Sequence, residues 1–328
     1  MFMMSLLYSL VVFVDLCLCT WLASIIAVLI TSVPMDPWRN QTAPVECEYI
    51  RASDGAQLFV RRWLSDSEPG EVILALHGLG QHSGYHARFG EALARHGSAY
   101  YALDLRGNGF TQTAHGDIPS VIRLYSDLDE LCSLLHDRHP QSPFYVLGHS
   151  MGAAMAACWA AEHNPKINGL LLLAPAMTAA ATPVPWSNYL KGPAAWLFFR
   201  HRSVLGIGKT AYARERLEKV VNLPDQVDFI VHDPLQLKGM SMEFALAANQ
   251  FRKNAIPLAS LVHVPTLTLV GDQDSSRVGA KQFHAEQTVA DKDFYLIPNA
   301  THMLFQIQEM DGVVMRVKEW LLARHPQP

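Results

Sequence analysis

The chain has 328 residues, of which 50% are hydrophobic and 17% charged, and 26 Lys and Arg against 30 Asp and Glu leave a formal net charge of −4. That balance gives no support to a nucleic-acid partner. Five cysteines without a C-x-x-C pair indicate no disulfide framework, and fifteen histidines with neither H-E-x-x-H nor a His/Cys cluster at ligand spacing indicate no metal site.

Residues 1–34 differ from everything after them. Leu16–Val33 carries no charge, and Met1–Val14 is equally uncharged, with Asp15 between them. An uncharged apolar run of about 18 or more residues is a candidate membrane helix. A cleaved signal peptide is the rival reading, although the basic n-region and an A-x-A cleavage site are missing. Translation from Met35, leaving a soluble protein, is the third. Arg39, Arg51, Arg61 and Arg62 follow the segment and favour a cytoplasmic side for what comes next. Residues 35–45 read as a linker, and residues 46–328 as one domain.

From Glu46 onward strand and helix signals alternate. Apolar, β-rich runs stand at Val72–Leu76, Tyr100–Leu103, Phe144–Leu147, Leu170–Leu173, Thr266–Val270 and Phe294–Ile297. Helical patterns occupy Ala87–His96, Ile122–His139, Met151–His163, Val278–Val289 and Val313–Arg324. This order predicts an α/β fold: a mostly parallel, doubly wound sheet with helices on both faces. Proline, tryptophan and helical segments interrupt the alternation from about residue 176 to 260, which reads as an insertion between two core strands. Within it Trp186, Trp196 and Phe198 head a group of large apolar residues followed by Arg200-His201-Arg202. Such a stretch suits a lid that touches lipid and binds an acyl chain, or equally the insertion's own core.

The stretch FYVLGHSMGAAMAACWAA, Phe144 to Ala161, joins a buried strand to an alanine-rich helix within a few residues. Gly148 and Gly152 flank Ser150 in G-x-S-x-G, the turn that holds a serine hydroxyl exposed above a sheet. A serine hydroxyl is a weak nucleophile until a base takes its proton and a third group orients that base. In this setting the chain order is serine, acid, histidine, each in a loop after a strand. GDQD follows Thr266–Val270 and supplies Asp272 and Asp274; PNATHMLF follows Phe294–Ile297 and supplies His302. Asp274 lies further along its loop and is the expected acid, with Asp272 supporting the turn. The glycine turn His77-Gly78-Leu79-Gly80 after Leu76 points to an oxyanion hole formed by the amides of Leu79 and Met151. His77 reads as structural and Cys158 as buried packing. Asp104 and Arg106 read as loop organisers through a salt bridge and hydrogen bonds. His82, His86, His115, His149, His232 and His284 read as loop, insertion or surface residues.

These segments resemble the α/β-hydrolase fold, and within it the monoacylglycerol lipase/lysophospholipase family, the serine-aminopeptidase-like group. HGLGQHSGYH is similar to that family's HGxGEHSxRY, DLRGNGFT at Asp104–Thr111 to its DxRGxGxS, and GHSMGA to its GHSMGG. HDPL at His232–Leu235, GDQD and THMLF match its lid, acid and base segments, so the likeness runs from about Glu46 to Leu322. Gln81, Thr111 and Ala153 depart from the usual glutamate, serine and glycine. The resemblance implies a cap over the site, a serine-hydrolase mechanism without a cofactor, and single-chain acyl glycerides or lysolipids as substrates. Thioesters or peptides cleaved by the same residues, and a non-catalytic binding protein on the same fold, are the alternatives. Ser150, Asp274 and His302 standing together argue against the last.

Overall fold

The computed structural model describes residues 45–65, 68–178, 201, 205–206, 214–219, 221 and 223–325. Residues 1–34, nearly all of the linker, and Trp186, Trp196 and Phe198 lie outside the described residues. Among the described residues, no helix is long and apolar enough to cross a membrane.

Eight strands form one sheet: β1 (Glu46–Arg51), β2 (Gln57–Trp63), β3 (Glu71–Leu76), β4 (Ser98–Leu103), β5 (Phe144–His149), β6 (Gly169–Leu173), β7 (Thr266–Gly271) and β8 (Lys292–Ile297). Their order across the sheet is β1-β2-β4-β3-β5-β6-β7-β8. Strands from β4 to β8 run parallel, while β1 and β2 form an antiparallel hairpin at one edge. A parallel strand covered on both faces must be apolar at every position rather than at alternate ones. In β3, β4, β5, β6 and β7 every residue is buried and nearly all are apolar, with Glu71, Ser98, His149, Thr266 and Thr268 as buried polar exceptions.

The covering helices are α1 (Ala87–Arg95), α2 (Val121–Arg138), α3 (Met151–His163), α4 (Pro224–His232), α5 (Met242–Asn254), α6 (Arg277–Glu286) and α7 (Met310–Arg324). The last two complete the βα alternation after the insertion, as the sequence predicts. In α3 all residues from Met151 to Ala160 are buried, so its alanines and glycine serve close packing on every side instead of one apolar stripe. Helices α4 and α5 lie in the chain between β6 and β7, within the expected insertion. Ser241 caps α5, its hydroxyl accepting the Phe244 amide at 3.1 Å.

The β1–β2 hairpin escapes a reading based on apolar runs. Its sequences, ECEYIR and QLFVRRW, are heavily charged. Arg61 is nonetheless buried, its guanidinium stacked 4.9 Å from the Phe59 ring centre and 5.6 Å from that of Phe110. Arg62 pairs with Glu46 and Glu48, and Arg138 of α2 with Glu48, so ion pairs at the rim take the place of apolar alternation.

Two glycines set the junction between β5 and α3. A Cβ on Gly148 would lie 2.4 Å from the Ala153 Cα, and one on Gly152 would lie 2.5 Å from the Leu76 carbonyl oxygen. Both clashes are with backbone, which cannot swing aside. Gly148→Ala is therefore expected to cost about 1–3 kcal/mol of stability or more, read as a lowered urea midpoint with unchanged slope.

Candidate active site

Ser150 stands between the last residue of β5 and the first residue of α3, with φ 54° and ψ −114°. Few residues other than glycine or asparagine adopt positive φ. The conformation is held by the Ser150 amide donating to Leu173 O at 3.0 Å and by its carbonyl accepting the amides of Ala154 and Ala176 at 3.2 and 3.0 Å. The turn leaves the hydroxyl above the carboxyl end of the sheet. There the Ser150 hydroxyl donates to His302 Nε2 at 2.8 Å, and His302 Nδ1–H donates to Asp274 Oδ2, also at 2.8 Å. Chain separations of 152 and 28 residues are closed by the loops after β5, β7 and β8.

The structure thus brings together Ser150, Asp274 and His302. Of the two aspartates in GDQD, Asp272 is exposed and uses only its backbone for the turn, its amide donating to Ile297 O at 3.0 Å. Asp274 is buried. Ser276 anchors its carboxylate twice, the hydroxyl donating to Oδ2 at 2.5 Å and the amide to Oδ1 at 2.9 Å. Burial pushes the Asp274 pKa up, but the hydrogen bonds from His302 and Ser276 outweigh it and hold the carboxyl below the usual range. An ionised acid therefore faces the ring that must carry positive charge when it accepts a proton.

Leu79 and Met151 line one cavity with Ser150, of about 360 Å³. Gly78 makes the approach possible, since a Cβ there would lie 3.2 Å from the Ser150 Cβ and 2.8 Å from Gln81 Oε1. The Gly78 amide donates to that same Gln81 oxygen at 3.0 Å, which fixes the loop before Leu79. A second cavity of about 740 Å³ extends from Ser150 and His302 toward Met177, Leu217 and Ile230. Its lining joins the insertion to the strand ends.

Residues 67–309 match the sequence model of the family described as serine aminopeptidase, S33. The chain belongs to this family. The monoacylglycerol lipase of Mycolicibacterium smegmatis is 24% identical, over 82% of this S33 chain and 94% of its own length. For the monoglyceride lipase of Rattus norvegicus the values are 25%, 83% and 89%. The uncharacterized protein YnbC of Escherichia coli is 27% identical over 80% of this chain, which spans only 44% of that longer protein. The fold is that of the α/β hydrolases: a solved soluble variant of monoglyceride lipase from Saccharomyces cerevisiae, in complex with a substrate analog, superposes with a TM-score of 0.72 at 21% identity, covering 89% of this chain and 99% of that one.

Several polar residues of the S33 chain stand elsewhere than their sequence context suggests. His149 is no surface residue. It is wholly buried, its Nε2 3.0 Å from the His302 carbonyl oxygen and its Nδ1 3.3 Å from Gln81 Oε1. Burial, reinforced by the nearby His302 ring, pushes its pKa down to about 3. It is therefore a neutral spacer behind the His302 ring. His82 and His86 are also buried, against Asp233 and the Tyr100 hydroxyl respectively. Both lie in the segment between β3 and α1, as a loop reading has it, but its side chains are buried instead of exposed.

Asp104 and Arg106 organise loops separately rather than through one shared bridge. The Asp104 carboxylate accepts the amides of Ser83 and Phe110 at 2.6 and 2.7 Å, whereas Arg106 pairs with Asp127 at 2.6 Å and Asp54 at 2.8 Å. His77 does bond nearby backbone, with Nδ1 donating to Gly78 O at 2.8 Å and Nε2 accepting the Leu105 amide at 3.0 Å. Cys158 is buried, and burial pushes its thiol up to about 12, so it packs rather than reacts.

Proposed function

We propose that this S33 hydrolase cleaves carboxylic esters of single-chain lipids, monoacylglycerols and lysolipids, through an acyl-enzyme on Ser150. The hydrogen-bonded row of Ser150, His302 and Asp274 at a cavity mouth carries the reading. His302 Nε2 takes the hydroxyl proton as Ser150 Oγ attacks the ester carbonyl carbon. The amides of Leu79 and Met151 stabilise the oxyanion, and Asp274 stabilises the imidazolium. Collapse of the tetrahedral intermediate breaks the ester C–O bond, and the imidazolium proton leaves with the alcohol. Water then repeats the sequence, its proton going to His302, and releases the fatty acid and Ser150.

The lipase names of the relatives support a lipid acyl group, and the larger cavity, reaching Met177, Leu217 and Ile230, supplies apolar side chains for one. In this reading residues 176–260 form the cap, Trp186, Trp196 and Phe198 meet the acyl chain, and contact with a membrane runs through residues 1–34 and the cap. A substrate panel tests the assignment: monoacylglycerol, lysophosphatidylcholine, p-nitrophenyl esters, acyl-CoA and a prolyl anilide. The lipid esters are expected to turn over fastest. Faster release from the anilide or the thioester would overturn it in favour of a peptidase or thioesterase.

A further inference from the structure

HDPL in the insertion and HGLGQHSGYH after β3 meet at a buried contact that the hydrolytic steps do not use. Asp233 follows the last residue of α4, His82 lies three residues beyond Leu79, and neither side chain has any surface in solvent. His82 Nε2 stands 3.0 Å from Asp233 Oδ2. Two backbone amides fix the direction of this contact. The Gly84 amide donates to His82 Nδ1 at 3.1 Å, so that nitrogen presents its lone pair and the ring proton sits on Nε2, directed at Asp233. The Leu235 amide donates to the other carboxylate oxygen at 2.9 Å. Two donors thus converge on Asp233 from opposite sides, which a carboxylate satisfies and a carboxamide, with one acceptor oxygen, does not. Next to it the Leu237 amide donates to Gly80 O at 3.2 Å. Residues 233–237 of the insertion therefore grip the loop at Gly80 and at His82, just beyond Leu79.

We propose that His82 and Asp233 are positioning residues: their buried bond seats the insertion on the oxyanion loop and thereby holds the Leu79 amide in line with that of Met151. The inference rests on the hydrolase reading above. It makes seating of the insertion and completion of the oxyanion hole a single event, because one short stretch of backbone takes part in both. Removing one partner of such a pair leaves a polar group buried without its match, so the loop must shift to rehydrate it.

Two variants and a small substrate test this. Asp233→Asn removes one of the two acceptors. His82→Asn keeps an oxygen near the position of Nδ1 for the Gly84 amide, preserving the turn, but is too short to reach Asp233. With p-nitrophenyl acetate, which is too small to need the insertion, each variant is expected to lose about tenfold in kcat with little change in KM, a fraction of what loss of a whole oxyanion donor costs. The double variant should be no slower than the worse single one. Variants that melt at lower temperature yet match wild-type kcat at 25 °C would show a packing role only and overturn the proposal. Labelling of wild-type Ser150 by a fluorophosphonate separates the two levels. An unlabelled wild type defeats the hydrolase reading itself, whereas a labelled wild type beside full-rate variants defeats only the tie.

Discussion

Ser150→Ala is expected to lower kcat by about 10⁵- to 10⁶-fold, leaving the fold intact. The side chain is partly exposed and contributes one hydroxyl hydrogen bond, to His302, while the backbone bonds that hold the turn remain available to alanine. Alanine also relieves none of the strain at φ 54°, so stability should change little. His302→Ala should cost a similar factor, because an alcohol without a base is as inert as a base without an alcohol. For the same reason the double variant should be no worse than either single one, since the groups act as a unit. Steady-state kinetics on a p-nitrophenyl ester, with circular dichroism to verify folding, would decide it. Retention of more than about one per cent of kcat by Ser150→Ala would remove the covalent mechanism.

Asp274→Asn is the second large effect, with an expected loss of about 10⁴-fold in kcat at unchanged KM. The Asp274 carboxylate receives three donors: His302 Nδ1–H and the Ser276 hydroxyl on Oδ2, and the Ser276 amide on Oδ1. An amide offers only one oxygen. If it serves Ser276, the NH₂ group faces His302, which must then move its proton to Nε2 and can no longer accept from Ser150. The same carboxylate couples the site to stability. Its pKa lies below the unfolded value, so its charge stabilises the folded state above the ordinary carboxylate range, and that contribution fades as pH falls through the lowered pKa. Acid unfolding of Asp274→Asn should accordingly begin from a lower plateau and show a shallower pH dependence.

The central sheet was legible because buried parallel strands are apolar along most of their length, so the cores of β3, β5, β6 and β7 stand out as runs. Strand starts were less so. β4 begins at Ser98 and β8 at Lys292, where polar groups find partners: the Ser98 hydroxyl bonds the buried Glu71–Lys318 pair, and Lys292 Nζ donates to the carbonyl of His284 at 2.7 Å. No local pattern announces such distant matches. Likewise the hairpin at the sheet edge hides behind its charges, and Arg61 enters the core only because two aromatic rings wait there. At the site, Ser150, His302 and the choice of Asp274 over Asp272 followed from loop position after a strand. His149, His82 and Asp233 did not, since their burial depends on how separate loops stack over the strand ends.

The dihedral angles at position 150 also limit which nucleophile the scaffold can carry. A side chain forked at Cβ is badly tolerated in the left-handed half of the backbone map. Threonine, although it bears the same hydroxyl, is therefore barred from the turn, while cysteine, unforked and nearly isosteric with serine, can occupy it. Chemical drift at this point of the molecule is thereby confined to nucleophiles unforked at Cβ, the thiol of cysteine or the carboxylate of aspartate.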